Sequence, residues 1–171
     1  MHSLRKKTVA TAVGLAVVIS ACKSASVGAS NPSTKPASAT AIHSLPFDVL
    51  HNGISSGYTK LSEFVIQDGD EFTRRWRGVL QGSPDAEKPE VNFEKTTVVF
   101  VAIGARNTGG YSVHVDSISK ESTGATVHYT VTSPGSRCMS MQMLTSPVEV
   151  ISFDRVEGQI KFRKRGVSGA C

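Results

Sequence analysis

Serine, histidine and aspartate occur at alternate positions of one predicted strand, as Ser112, His114 and Asp116. These residue types form the catalytic triad of many hydrolases, in which the histidine takes the proton of the serine hydroxyl. Alternate residues of a strand share a face but lie roughly 6.6 Å apart, whereas a nucleophile and its base need about 2.6–3.2 Å between heavy atoms. A serine side chain is too short to close that gap, so we predict no triad and no catalytic residues.

His114 and His128 are a second group with the residue types of a site. A turn at 122–124 would place them nearly opposite each other on the outward face of a hairpin, with Asp116 nearby. Two imidazoles and a carboxylate can hold a divalent metal, but exposed polar side chains are also typical of an outward sheet face. We predict the latter, with no metal, no cofactor and no small-molecule substrate. HExxH, P-loop and dinucleotide-binding motifs are missing as well.

The first 21 residues have the organisation of a bacterial lipoprotein signal. A short basic region precedes an apolar stretch over 8–19, which is too short to cross a hydrocarbon core of about 30 Å as a helix. The sequence Ile-Ser-Ala-Cys at 19–22 resembles a lipobox, whose cysteine receives the lipid. We therefore predict lipidation of Cys22 and attachment to the bacterial cell envelope through that lipid. Lys23 stands where an aspartate would favour the inner membrane, which points to the outer membrane.

Removal of the signal peptide changes what the net charge means. The signal holds three of the 19 Lys and Arg residues and none of the 14 Asp and Glu residues, so the mature chain has a net charge of about +2. One short basic run remains at 161–165. At a chain end such a run is typical of a solvated edge strand rather than of a nucleic-acid surface. We therefore predict no nucleic-acid partner.

Residues 42–171 are expected to form one α+β domain, preceded by the lipidated cysteine and a flexible Ser/Ala/Pro-rich linker over 22–41. One main helix follows a capping box of Asp68 and Glu71. Its apolar residues recur at helical spacing; they are Phe72, Trp76, Val79 and Leu80. Apolar runs, apolar alternation and turn residues predict one mostly antiparallel sheet of six or seven strands. These strands lie over 45–50, 61–66, 97–103, 111–116, 127–131, 148–153 and 159–162.

The remaining two cysteines form an even pair, Cys138 and Cys171, once Cys22 carries the lipid. An oxidising compartment favours a disulfide between them over two free thiols. This disulfide would close a loop of roughly 34 residues, and the chain-entropy relation gives it about 3.5–4 kcal/mol. It would fix the end of the chain to the segment that follows Pro134.

A glycine-rich stretch, Arg-Asn-Thr-Gly-Gly-Tyr at 106–111, follows the apolar strand over 97–103. A tight antiparallel connection needs a positive φ, which explains the glycines structurally. The glycines also leave backbone N–H groups accessible, and a loop on a rigid scaffold is a common recognition site. We predict that Tyr111 points inward as a structural residue at the base of the loop. The rest of the loop is predicted to contribute to a partner surface; its residues are Arg106, Asn107, Thr108, Gly109 and Gly110.

Three motifs occur in a fixed order along the chain. They are the helix with Phe72 and Trp76, a glycine and an arginine ahead of Thr-Gly-Gly-Tyr over 104–111, and Thr-Ser-Pro at 145–147. This order resembles the C-terminal domain of the PrcB family, bacterial exported lipoproteins named for a subunit of a surface protease complex. The likeness covers most of 53–155.

Two positions depart from the family pattern, since Asn92 replaces a usual aspartate and Val148 replaces a usual aromatic residue. The resemblance implies a non-catalytic protein that associates with, and stabilises, a secreted or surface protease. Our first hypothesis is therefore a lipid-anchored accessory subunit of an exported protease or of another envelope complex. The second is a protease inhibitor that acts through 106–111, because the loop also resembles, over a short length, that of chagasin-like inhibitors. The third is a hydrolase or metal-binding domain.

Overall fold

Eight strands and one helix make up residues 43–170, the part of the chain that the computed structural model describes. The strands are β1 (His43–Leu45), β2 (Phe47–Gly53), β3 (Leu61–Ile66), β4 (Thr96–Ile103), β5 (Ser112–Glu121), β6 (Gly124–Ser133), β7 (Val148–Asp154) and β8 (Gln159–Ser168). The helix α1 spans Gly69–Leu80. The predicted signal peptide, Cys22, the linker and Cys171 lie outside the described residues.

The strands divide between two four-stranded sheets. Sheet A has the order β1-β5-β6-β8, and sheet B has the order β2-β7-β4-β3. Neighbouring strands are antiparallel throughout, except that β8 runs parallel to β6. The predominance of antiparallel strands and the one helix are confirmed, so the α+β class holds in part, but the single sheet of six or seven strands is wrong. The helix is also a small part of a mainly β structure.

The core between the two sheets covers one of the two apolar faces of β4. Val99, Val101 and Ile103 point from β4 toward sheet A, where they meet a buried apolar layer. That layer comprises Val113, Val115, Ile118, Ala125, Val127 and Tyr129. The Tyr129 hydroxyl donates a 2.6 Å hydrogen bond to Oε1 of Glu63 on β3. Burial raises the pKa of Tyr129 above its usual value.

The opposite face of sheet B packs against α1. Phe72, Trp76 and Val79 are buried there against side chains of β4 and β7. Ring centroids lie 5.5 Å apart for Phe72–Trp76 and 6.3 Å apart for Trp76–Phe100, within the range of favourable aromatic pairs. Leu80, predicted to lie on the same buried face, is 36% exposed at the last position of the helix.

The start of α1 has half of the predicted capping box. The Asp68 carboxylate accepts a 2.8 Å hydrogen bond from the backbone N–H of Glu71, which satisfies one of the free donors of the first turn. The Glu71 carboxylate turns instead to the guanidinium groups of Arg74 and Arg75 on the helix surface. These hydrogen bonds lower the pKa of Glu71. Among residues 43–170, no helix is long and apolar enough to cross a membrane.

Candidate functional site

The loop over 104–111 connects β4 of sheet B with β5 of sheet A, so it is a crossover between sheets and not the hairpin turn that we predicted. β4 and β5 each pair with strands of their own sheet, so the loop that connects them is not part of the strand pairing of either sheet. Gly110 has the positive φ of 85° that the prediction required. Gly104 has a φ of 80° and lies so close to the backbone of 59–60 that a Cβ would meet it at 2.9 Å.

Backbone hydrogen bonds attach the loop to the segment that precedes β7. Arg106 and Thr145 form an antiparallel bridge, with N···O distances of 2.7 and 2.9 Å. Gly109 donates a 2.9 Å hydrogen bond to the carbonyl of Met141. The Thr145 hydroxyl adds a 3.1 Å hydrogen bond to the carbonyl of Thr108. The loop and the segment over 139–145 therefore lie side by side at one end of the sandwich.

Arg106 folds back onto the protein instead of extending from the loop. Its guanidinium lies 5.3 Å from the centroid of the Tyr111 ring and donates a 3.0 Å hydrogen bond to the carbonyl of Ile103. Its Nε is buried without a hydrogen-bond partner. Tyr111 is half-buried against the core between the sheets. Asn107 is the exposed polar side chain of the loop, beside the exposed Ala105, and it is therefore better placed than Arg106 to meet a partner.

Three methionines occupy the segment beside the loop, and the sequence interpretation overlooked them. Met139 is fully exposed and Met141 is 74% exposed, while the neighbouring Leu144 and the facing Ile54 are 72% and 58% exposed. Exposed large apolar side chains in one patch are characteristic of interaction surfaces. The available signal was the alternation Met-Ser-Met-Gln-Met at 139–143, which lies outside any strand of the sheets.

A groove of about 530 Å³ runs between the loop and this segment. We call it the methionine groove; its walls include Gly109, Gly110, Tyr111, Met139, Met141 and Met143. None of the described residues that line the groove is charged. The groove therefore has the properties of a small apolar docking site with backbone polar groups at its edge.

The methionine segment, which forms one wall of the groove, directly follows a disulfide-bonded cysteine. Cys138 is disulfide-bonded, and its backbone N–H donates a 2.9 Å hydrogen bond to the carbonyl of Gly135. Ala170 lines the same groove, which places the end of β8 close to Cys138. Cys171 lies outside the described residues, so the Cys138–Cys171 pairing stays a prediction.

The residues first considered for a triad belong to separate hydrogen-bond groups. The Nδ1 atom of His114 lies 3.0 Å from Oε1 of Glu149, whereas the Asp116 carboxylate accepts a 2.7 Å hydrogen bond from the hydroxyl of Thr130. Ser112, His114 and Asp116 are thus not assembled around one reaction centre. Glu149 was not predicted as a site residue, although a charged residue within an apolar strand is itself a signal.

Glu149 is 1% exposed, and its carboxylate accepts hydrogen bonds at an open edge of sheet A. β1 pairs with β5 only at 118–120, which leaves the beginning of β5 without a neighbouring strand on that side. The Glu149 carboxylate accepts a hydrogen bond from the backbone N–H of Val115 and a 2.8 Å bond from Nδ2 of Asn52. These side chains provide the partners that a strand would otherwise supply.

The two histidines of the predicted hairpin are displaced from each other by a bulge. The register of β5 and β6 shifts between Val115 and Ser117. As a result His128 pairs with Ser117, while His114 is opposite Thr130, and the prediction that the histidines face each other is wrong. Within residues 43–170, no group of three or more His, Cys, Asp or Glu side chains is placed to hold a metal ion.

A comparison with protein families bears on the loop and the methionines together. Residues 97–154 match the family model described as PrcB C-terminal. This match confirms the family resemblance over about a third of the chain. The PrcB C-terminal segment runs from β4 to β7 and contains both walls of the methionine groove. Comparisons with curated proteins and with solved structures gave no match.

Proposed function

We propose that this chain is a non-catalytic accessory subunit of an exported protease complex, and that the methionine groove binds the partner. The observation that carries the proposal is the position of the groove. The glycine loop and the methionine segment both lie within the part of the chain that matches PrcB C-terminal. The family resemblance supplies the class of partner, and the groove supplies a surface suited to a protein.

The chemistry of the groove favours an apolar segment of a folded protein as its ligand. Burial of apolar surface contributes about 25 cal/mol per Å², and Met139, Met141 and Leu144 leave most of their apolar surface in water. Methionine side chains are unbranched and adapt their shape to a partner. Asn107, exposed beside the groove, provides polar donors of the kind that surround an interface core.

Capture from detergent-solubilised envelopes tests the proposal. The tagged full chain is expected to retain a protein with peptidase activity, measured on a fluorogenic substrate in the eluate. Met141→Asp combined with Leu144→Asp places one charge in the groove and one on the exposed apolar residue beside it, and should remove that activity from the eluate. Val49→Asp is the matched control, because Val49 is also an exposed apolar residue, 49% exposed, but lies on β2.

The activity of the captured partner decides between the hypotheses. An active protease that is retained by the wild type and the Val49 control, and lost by the groove variant, supports the accessory subunit. A protease that becomes active only after the chain is removed supports the inhibitor instead. Equal capture by all three proteins would show that the groove is not the binding surface.

We also propose that Cys22 carries the lipid that holds this subunit on the outer membrane of a bacterial envelope. The proposal is supported by the sequence Ile-Ser-Ala-Cys at 19–22 and by Lys23 after it. Cys22→Ser should abolish metabolic labelling with palmitate and release the chain from membranes separated on a density gradient. Labelling that persists in this variant would refute the assignment.

A further inference from the structure

The same three methionines offer sulfur ligands to a metal ion, and this role does not depend on a protein partner. Met139, Met141 and Met143 all line the groove, and they are three of the four methionines in the chain. Thioether sulfur is a soft ligand that selects Cu(I) among the first-row metals. We propose that Met139, Met141 and Met143 form a binding site for a soft monovalent cation, Cu(I), in the methionine groove.

The spacing of the methionines suits a shared ion. Consecutive residues of a chain span at most about 3.6 Å each, so alternate methionines lie no more than about 7 Å apart along the segment. Two methionine side chains, each with three rotatable bonds, bridge such a distance with a cation between their sulfur atoms. The middle of the segment is held by the hydrogen bond from Gly109 to the carbonyl of Met141. The backbone is therefore fixed while the thioethers remain adjustable.

Gly109 lies beside one of the three sulfur atoms. A Cβ on this residue would lie 3.7 Å from Sδ of Met143 and would occupy space beside it. Gly109 is not among the described glycines with positive φ, which include its neighbour Gly110. The loop therefore passes the Met143 thioether at ordinary contact distance, and Gly109 adds no side chain there.

The other groups around the groove favour a soft cation over a hard one. The described lining contains no carboxylate and no imidazole, the groups that bind Mg²⁺, Ca²⁺ and Zn²⁺. Cys138 is disulfide-bonded and offers no thiolate. The absence of a lysine or arginine from the described lining means that no cationic side chain repels the ion. The donor side chains of the described lining are thus all neutral, and the soft ones among them are the three thioethers; the others are the hydroxyls of Tyr111, Ser140 and Thr145.

Methionine methyl spectroscopy tests the site directly on the full chain in detergent. With ¹³C-methyl methionine, addition of Ag(I) should shift the signals of Met139, Met141 and Met143 with saturation at one equivalent. Ag(I) is the redox-silent analogue of Cu(I) and needs no reductant, so the disulfide stays intact. Cu(I), maintained with ascorbate, should then be withdrawn from the chromogenic chelator bicinchoninate by the wild type.

The triple variant Met139→Leu, Met141→Leu, Met143→Leu is the matched control. Leucine preserves apolar character and approximate volume but has no sulfur, so this variant should lose Cu(I) binding while keeping its thermal stability. Unshifted methyl signals, or Cu(I) binding that survives in the triple variant, would overturn the proposal. The result is independent of the proposed docking role, because an apolar groove remains in the leucine variant and protease capture can be measured on it separately.

Discussion

The helix-covered face of sheet B and the methionine groove are both apolar, but only the first is closed by the chain itself. Phe72 and Trp76 are each 1% exposed and pack within a buried cluster that includes other aromatic rings. Met139 and Met141 are mostly in solvent, and they have flexible side chains instead of rigid rings. The difference separates apolar residues that stabilise the fold from apolar residues whose burial requires a ligand from outside the described chain.

The largest effect is expected where the helix closes its face of the sheet. Trp76→Ala should lower the free energy of unfolding by about 3–5 kcal/mol, because it removes the largest buried side chain of this cluster and leaves a cavity. Urea denaturation measures the loss. Leu80→Ala is the control on the same helix, and its smaller burial should make its effect clearly smaller. Equal effects would mean that the helix contributes little through packing.

The next effect concerns the open edge of β5. Glu149→Gln should lower the free energy of unfolding by about 1–3 kcal/mol, because an amide replaces one of two acceptor oxygens and leaves a buried donor unsatisfied. The donors at stake are the backbone N–H of Val115 and Nδ2 of Asn52. Glu157→Gln is the matched control, since the Glu157 side chain is 91% exposed. This prediction concerns stability and not catalysis. A loss of stability in the Glu149 variant, without one in the Glu157 control, supports the role of Glu149 at the edge of β5.

The contrast between the two regions also shows what the sequence could and could not predict. Helical spacing, the Asp68 cap and the turn residues ahead of β3 are local signals, and they located α1 and the strand Leu61–Ile66. The division into two sheets is not local. A strand that is apolar on both faces, such as β4, indicates two covered faces without indicating whether a helix or a second sheet covers them.

The site was predicted in part for the same reason. The glycine loop stands out because glycine reports on its own backbone, and Gly110 does have a positive φ. The methionine segment became important only through its neighbours. The hydrogen bond between Gly109 and Met141 joins positions more than thirty residues apart in the chain, and no periodic pattern reports such a contact. The bulge that separates His114 from His128 was likewise invisible in the alternation of β5.

A moderate effect is expected at the base of the loop. Arg106→Ala should lower the free energy of unfolding by about 1 kcal/mol, because the guanidinium lies over the Tyr111 ring and donates to the carbonyl of Ile103. Arg106→Lys should recover little of this loss, since an ammonium group lacks the planar guanidinium that contacts both the ring and the carbonyl. Asn107→Ala is the control in the same loop and should leave thermal stability unchanged. If Arg106→Ala also leaves the free energy of unfolding unchanged, the Arg106 side chain is not needed for the fold. The prediction that Arg106 contributes to the partner surface is then strengthened.

The smallest effect on stability is expected in the groove, and it tests the comparison most directly. Met139→Ala combined with Met141→Ala should change the free energy of unfolding by less than about 0.5 kcal/mol, as is usual for exposed positions. Urea denaturation of this variant beside Trp76→Ala measures both surfaces on one scale. A loss of more than about 1 kcal/mol would show that the methionines already pack within the isolated chain. The groove would then be part of the core, and an apolar partner or a soft cation would no longer be needed to explain it.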